Sequence, residues 1–448
     1  GGVGKGVLMT GGPAAGSVDR VNALLWEAGI VRRGASLEVD GLTLTSIADQ
    51  VGTPAYLYNL AVVRERYCAL DQALAAVPHR ICFAIKSNGN LGVLRALRDL
   101  GAGADIVSGG ELARALEAGF PPERIVFSGV GKSDGELEAA VEAGIGHVHL
   151  ESVAELDALA AIAERRSRPM RVGIRVNPDV TADTHPYIAT GRGGIKFGVP
   201  FDQVLPLALD ASRRRWLMLD TIAMHLGSQL LDTRPYREGL ARLLDLVAAL
   251  RNAGIASLRA LDIGGGLGIR YRDEETLTPA ALAQLVVPPV QASGLELVLE
   301  PGRFLVGAAG ILLTEVLSRK HSGGKDLVIV DAGMNDFVRP SHYQAYHELV
   351  ELEASGGATR TVDVVGPVCE TGDFLALDRD LPPLERGDRL AVLGAGAYGF
   401  VMSSNYNSRP RAAEVIVDNG RWWLARRRET IGELFSGEHA TPKGTDSA

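Results

Sequence analysis

Cysteine is scarce in this chain: Cys68, Cys82 and Cys369 are the only three in 448 residues, and no two are close. An odd, sparse count excludes a disulfide framework and a zinc site and points to a reducing compartment; no metal is expected. Long apolar runs are also missing. The longest, Phe304 to Leu317, is too short to cross a bilayer and contains Glu315. There is no basic excess: 46 Lys and Arg against 54 Asp and Glu leave a formal charge of −8, which argues against nucleic-acid and membrane-surface partners. The short basic runs Arg213–Arg215 and Arg426–Arg428 read as solvated faces. No basic-then-apolar signal pattern opens the chain, so the expected location is cytoplasmic. The opening "GGVGKG" lacks the Ser or Thr that must follow the lysine of a phosphate loop, and no strand precedes it. Residues 1–18 read as a flexible Gly-rich leader and 433–448 as a flexible tail.

What is present is a hydrophobic fraction of 46% and enough length for two domains, or for one barrel with an added module. From about residue 55 to 315, short apolar runs alternate with amphipathic helical patterns. The strand candidates are "ICFAI" at 81, "DIV" at 105, "IVFS" at 125, "HVHL" at 147, "RVGIRV" at 171, "TIAMH" at 221, "ALDIG" at 260 and "ELVLE" at 296. Alternation implies a parallel sheet, and eight units imply a closed (β/α)8 TIM-type barrel of the α/β class, ahead of a doubly wound open sheet. Beyond 315 the runs "DLVIVD", "RTVDVVG" and "DRLAVLG" and a hairpin about Asn419-Gly420 describe a mostly antiparallel β domain, sandwich- or barrel-like. The division expected is an N-terminal segment, 19–50, that pairs with the C-terminal β domain; a barrel, 51–315; and the β domain, 316–432.

Barrel chemistry gathers at the C-terminal ends of the strands. There the chain places Lys86, Ser128, Glu151, Asn177, His225, the run Gly264, Gly265 and Gly266, and Glu300. Singly, each has an ordinary explanation as a loop, core or turn residue. Together they form a set of one amine, one imidazole, one phosphate-sized nest and one carboxylate. Glycines lacking Cβ let backbone N–H groups approach a phosphate closely. A carboxylate at Glu300 suits a protonated ring nitrogen, and Arg303 with the Gly302 amide suits a phosphate or substrate carboxylate. Burial should disfavour the charged form of Lys86 and make it a better nucleophile toward a carbonyl. A carbonyl, a phosphate and a basic ring nitrogen in one ligand describe pyridoxal 5'-phosphate.

The motifs "FAIKSN", "GADIVSGGEL", "NPDV", "KFG", "MHLGSQ", "DIGGGLGI", "EPGRF", "VDAGMNDFVRPSHYQAYHE", "GPVCETGD" and "GAYGFVMSSNYNSRPR" stand in that order. On them the chain resembles the alanine-racemase-like barrel class of pyridoxal-phosphate enzymes, and within its ornithine/diaminopimelate/arginine decarboxylase family it is most similar to the diaminopimelate decarboxylases, over roughly residues 30–430. The resemblance implies roles. Lys86 matches the Schiff-base lysine and His225 the imidazole that packs on the cofactor ring. Ser228, Gly264, Gly265, Gly266, Gly302 and Arg303 match phosphate and cofactor contacts, and Glu300 the pyridinium partner. Cys369 matches a general acid supplied across a homodimer interface, with Glu370 beside it binding substrate. Arg303, Arg339 and Tyr343 match substrate contacts, and Tyr398 a contact to both substrate and cofactor. Three departures stand out: Ala223 where a second histidine is frequent, Thr371 where serine is usual, and Arg192, which has no assignable role.

The implied reaction converts meso-2,6-diaminopimelate to L-lysine and CO2, the last step of lysine biosynthesis, with Cys369 returning a proton to the substrate carbon. A racemase of the same barrel class is disfavoured by Glu300, because such racemases pair the ring nitrogen with arginine. A decarboxylase for ornithine, lysine or arginine would meet a cationic substrate end, whereas Arg339 suits a second carboxylate. A catalytically dead homologue used as a binding partner is disfavoured by the presence of both Lys86 and Cys369.

Overall fold

The computed structural model describes residues 17–180 and 196–439. Eight parallel strands close on themselves: His79–Ala84, Gly103–Ile106, Ile125–Phe127, His147–Leu150, Met170–Asn177, Leu217–Met224, Ala260–Asp262 and Glu296–Leu299. The last pairs with the first, Leu297 opposite His79, which completes the ring. These are the eight runs expected from sequence, and the ring closure decides for the barrel over the open sheet. Helices follow the strands because the chain marks their ends. Ser108, Ser133 and Ser152 each accept a hydrogen bond from the N–H three residues on, each such cap being worth about 1 kcal/mol. Gly119 and Gly144 end their helices in the left-handed conformation, at φ 86° and 68°.

The second sheet runs in the order Phe374–Leu381, Arg360–Val365, Lys325–Val330, Gly310–Ser322, Ala55–Asn59, Ala413–Asp418 and Arg421–Arg426, with Arg389–Val392 pairing Gly310–Ser322 from the side. Its hairpin turns at Asn419 and Gly420, both with positive φ, as the turn type requires. Ala55–Asn59 lies within the span expected for the barrel, yet it joins this sheet, antiparallel to Gly310–Ser322 and parallel to Ala413–Asp418. The residues before it form a separate three-stranded sheet, Ile30–Arg33, Ser36–Val39 and Leu42–Thr43. That sheet touches the β domain through a bridge between Ser36 and Glu353, and its apolar side chains pack with Ile311, Leu352 and Leu393.

The expected leader lies outside the described residues except for its last two, which open the helix Ser17–Glu27. The expected tail is described as far as 439 and begins within the helical turn Ile431–Phe435. Arg192 also lies outside the described residues. The basic run at 426–428 is not simply a solvated face: Arg426 pairs with buried Glu414, and Arg428 is half-buried. All three cysteines are free. Among the described residues no helix is long and apolar enough to cross a membrane.

Candidate active site

A cavity of about 390 Å³ opens at the C-terminal ends of the barrel strands. Its lining includes Lys86, Ser128, Arg175, Lys196, Phe197, His225, Ser228, Glu300, Arg303, Arg339, Tyr343 and Tyr398. Most of the expected set is therefore brought to one space. The first barrel strand ends at Ala84, and the single helical turn Ile85–Ser87 that follows carries Lys86. The turn is locked by Ser87, whose hydroxyl donates to Ala84 O and whose carbonyl accepts from Tyr398 N at 2.8 Å. Tyr398 holds φ 55°, a left-handed backbone that a bulky residue adopts only under external constraint, and the ring it presents stacks 4.9 Å from the Arg303 guanidinium.

Lys86 Nζ lies 3.4 Å from Asp105 Oδ2, which is fully buried at the end of the second strand, while a third of the lysine side chain remains exposed. Burial alone would lower the Lys86 pKa, as expected from sequence. The Asp105 carboxylate, with Tyr398 and Glu300, more than reverses this, and the net displacement is upward. Without a ligand the lysine is an ammonium ion. The expectation of a depressed lysine therefore fails, and the cause is Asp105.

Glu300 sits at the end of the eighth strand, 7% exposed, and accepts from Ser128 Oγ at 3.2 Å. Burial, then the neighbouring Asp105 and Asp262 carboxyls, push its pKa well above the carboxylate range. His225 ends the sixth strand. Its Nδ1 accepts from Gly265 N at 3.2 Å, and burial, reinforced by Lys86 and Arg175, holds it far below the ordinary imidazole value. It is therefore neutral, with its proton on Nε2.

The glycine run leaves no room for side chains. A Cβ on Gly264 would stand 2.5 Å from Met224 O, and one on Gly265 would stand 2.3 Å from Glu300 O. Gly264 and Gly266 have φ of 70° and 103°. A Cβ on Gly302 would meet Ser87 Oγ at 2.9 Å. Arg303, 5% exposed, donates to Ser228 Oγ at 2.9 Å and to the Tyr271 hydroxyl, and its Nε has no hydrogen-bond partner among the described residues. Arg339, 6% exposed, opens the short helix Arg339–Tyr343 and donates to His347 Nε2 at 3.3 Å. Among the described residues no carboxylate comes within ion-pair distance of either guanidinium. These groups fit pyridoxal phosphate: an amine for the aldehyde, an acid for the ring nitrogen, a neutral imidazole, and a guanidinium, a hydroxyl and a glycine turn for the phosphate.

Two expected residues stand apart. Neither Cys369 nor Glu370 is among the described residues that line the cavity. Cys369 is exposed, and its N–H donates to Asn407 Oδ1 at 2.7 Å. Their loop is tied back by Asp373, which accepts from Val368 N and Met334 N, each at 2.6 Å. Sequence reading assigned no role to Asp105, His149, Arg175, Asp262 or Tyr271. His149, Arg175 and Asp262 lie on barrel strands in phase with Glu151, Asn177 and Gly264, and that period of two was the signal available; on the strand of Asp105 no residue is singled out from sequence. Of the strand-end residues singled out, Glu151 is not among the described lining residues but pairs at 2.9 Å with Arg175, which is.

A family model for the pyridoxal binding domain of pyridoxal-dependent decarboxylases matches residues 60–307. The chain is similar to the diaminopimelate decarboxylase of Pseudomonas aeruginosa, with 48% identity over 411 residues, covering 92% of this chain and 99% of the relative. It is similar to the crystal structure of diaminopimelate decarboxylase from Helicobacter pylori complexed with L-lysine, with TM-score 0.85, 40% identity and coverage of 88% of this chain and 98% of that one. It is similar as well to diaminopimelate decarboxylase from M. jannaschii in complex with L-lysine, with TM-score 0.88, 32% identity and coverage of 92% and 98%.

Proposed function

The chain belongs to the diaminopimelate decarboxylases of the pyridoxal-dependent decarboxylase family, and on that premise we propose that its barrel-mouth cavity holds pyridoxal phosphate on Lys86 and removes one carboxylate of meso-2,6-diaminopimelate. The reaction is a carboxy-lyase step that converts diaminopimelate to L-lysine and CO2, the last in lysine biosynthesis. The observation that carries the assignment to this cavity is the pair of buried guanidinia, Arg303 and Arg339, with no carboxylate partner among the described residues. An unpaired buried charge is costly, so the pair calls for anionic ligand groups.

When bound, pyridoxal phosphate supplies an electron sink for the bonding pair left as the carboxylate departs. The chain's residues do the rest. Lys86 would hold the cofactor through its aldehyde carbon. Glu300 keeps a proton at the ring nitrogen, where charge develops. His225, being neutral, packs on the ring without opposing that charge. Ser228, Arg303, Gly302 and the turn Gly264–Gly266 hold the phosphate, the turn through backbone N–H groups. Arg339, with Tyr343 and Tyr398, receives the far amino-acid end of the substrate, and the fork of a guanidinium suits its carboxylate. Two copies of the chain pair, so that Cys369 and Glu370 of one enter the cavity of the other. The exposure of Cys369 and its position outside its own cavity support this arrangement. Cys369 then returns a proton to the substrate carbon.

The test is a panel of meso-diaminopimelate, ornithine, lysine and arginine, assayed with the cofactor-loaded enzyme for CO2 and amine product. Diaminopimelate should be the preferred substrate, with L-lysine as product. Faster CO2 release from ornithine or lysine would overturn the substrate assignment.

A further inference from the structure

Behind Glu300 lies a polar cluster whose other members, Ser128, His149 and Asp262, the reaction as described leaves unused. Ser128 Oγ is 3.2 Å from Glu300 Oε1 and 3.2 Å from His149 Nδ1. The same His149 Nδ1 is 3.7 Å from Glu300 Oε1, and its Nε2 is 4.0 Å from Asp262 Oδ2. His149 and Asp262 are 2% and 1% exposed. Asp262 Oδ1 accepts from Gly264 N at 2.8 Å, and Oδ2 has no hydrogen-bond partner among the described residues. One imidazole thus faces two buried acids with its two ring nitrogens.

The hydrogen count makes this arrangement informative. A serine hydroxyl has a single hydrogen, and a neutral imidazole has one N–H and one bare nitrogen. Ser128 can donate to Glu300 only when His149 carries its proton on Nδ1. Nε2 is then bare and faces Asp262, which favours a proton on Asp262. If the tautomer reverses, Ser128 turns its hydrogen toward Nδ1 and Glu300 loses a donor. The donor offered to Glu300 and the protonation of Asp262 are therefore linked through one ring, in addition to the direct interaction of the two carboxyls.

We propose that His149 is a positioning residue: acting through Ser128 and Asp262, it sets the proton held by Glu300 and so the grip of Glu300 on the ring nitrogen of bound pyridoxal phosphate. This rests on the reading of Glu300 as the partner of that nitrogen. The electrostatics agree. Burial pushes the Asp262 pKa up to about 7 and holds His149 far below its usual value, with His147, Lys132, Arg175 and Arg80 adding to the latter effect. Glu300 is faced in addition by Asp105 and Lys86. The imidazole stays neutral while both acids beside it are displaced upward, toward their protonated forms.

The experiment titrates the cofactor-stripped full chain with pyridoxal phosphate and with its 1-deaza analogue, in which C–H replaces the ring nitrogen, following quenching of protein fluorescence. The ratio of the two dissociation constants isolates the interaction with that nitrogen. His149→Phe and Ser128→Ala should each change the ratio on the order of tenfold, with affinity for the deaza analogue altered less than about twofold. Equal changes in both affinities would mean a packing role only, and an unchanged ratio would mean no role; either result overturns the proposal. Ser128→Ala cuts the bridge without enlarging any barrel side chain, should phenylalanine not be accommodated. Glu300→Gln is measured alongside. If it leaves the ratio unchanged, the reading of Glu300 fails and the proposal falls with it. If it alone moves the ratio, only the role of His149 is refuted.

Discussion

Replacing Asp105 by asparagine removes the carboxylate that holds Lys86 as an ammonium ion. The two charged atoms are 3.4 Å apart, with the aspartate fully buried and the lysine a third exposed. At an effective dielectric of about 20, unit charges at that separation attract by roughly 5 kcal/mol. Water reaching the exposed part of the lysine screens much of this, leaving roughly 1–3 kcal/mol as the realised difference. That corresponds to a roughly five- to 150-fold rise in the fraction of neutral amine. Only the neutral amine attacks an aldehyde. The cofactor-stripped Asp105→Asn protein should therefore take up pyridoxal phosphate faster than the native chain at neutral pH, by a factor in that range, and its uptake should reach a plateau at lower pH. The assay mixes stripped protein with cofactor and follows the absorbance of the bound form across pH, with circular dichroism to show that the fold is retained. Uptake that is no faster, with an unshifted pH dependence in a folded variant, would refute the claim that Asp105 controls the charge on Lys86.

Lys86→Ala should abolish turnover and leave no cofactor absorbance after gel filtration; appreciable CO2 release would contradict its role. Cys369→Ala should bind cofactor normally and turn over slowly, and an unchanged rate would remove it as the proton donor. Asp336→Asn probes a buried acid outside the cavity. Burial lifts the folded pKa of Asp336 to about 7, against the hydrogen bond from Gly333 N, while the unfolded value is about 3.9. A raised folded pKa gives stability that is full below the unfolded value and is lost as pH rises through the folded one. The native chain should thus lose stability relative to Asp336→Asn between about pH 4 and pH 7, by a few kcal/mol at most. Thermal melts at about pH 5 and pH 8 test this, and a difference between the two proteins that does not change with pH would overturn it.

The barrel was legible because each of its strands is a short apolar run set between capped helices. Ser108, Ser133 and Ser152 announce helix starts in the sequence itself. The hairpin at Asn419-Gly420 was legible for the same local reason. Ala55–Asn59 was not. All five of its residues are buried, so it carries no alternation, and its partners come from Gly310–Ser322 and Ala413–Asp418, far along the chain. The site divides in the same way. Lys86, His225, Ser228, Glu300, Arg303, Arg339, Tyr343 and Tyr398 come together at one cavity. The electrostatic sign at Lys86 was misread because it depends on Asp105 and Glu300, which belong to other strands and meet the lysine only in the closed ring.

Charge pairing within the barrel explains why the cavity lies where it does. Away from the mouth, buried and half-buried ions have protein partners: Arg80 with Glu296, Arg171 with Asp220, and Lys132 with Glu155. At the mouth Arg175 still pairs with Glu151 and Lys86 with Asp105, but Arg303 and Arg339 have no carboxylate partner among the described residues. On one side Asp105 and Glu300 face the ammonium of Lys86, while Asp262, beside Glu300, has Arg80 as a nearby cation. On the other, Arg303 and Arg339 rest on Tyr271, Ser228 and His347. Leaving charges of one sign against one wall and of the other sign against the opposite wall costs stability unless a ligand completes both. The matching ligand is cationic where it meets the acids and anionic where it meets the guanidinia. A protonated pyridine ring that bears a phosphate, joined to an amino acid with a second carboxylate, has that polarity along its length. Swapping the polarity of one wall should therefore harm cofactor and substrate binding more than it harms folding. Arg339→Gln is the mild form of that change. It should raise KM for diaminopimelate by about tenfold or more while leaving the thermal melt of the cofactor-free chain unchanged or higher, because it removes an unpaired buried charge. A fall in melting temperature together with an unchanged KM would mean that Arg339 serves the fold and not the ligand.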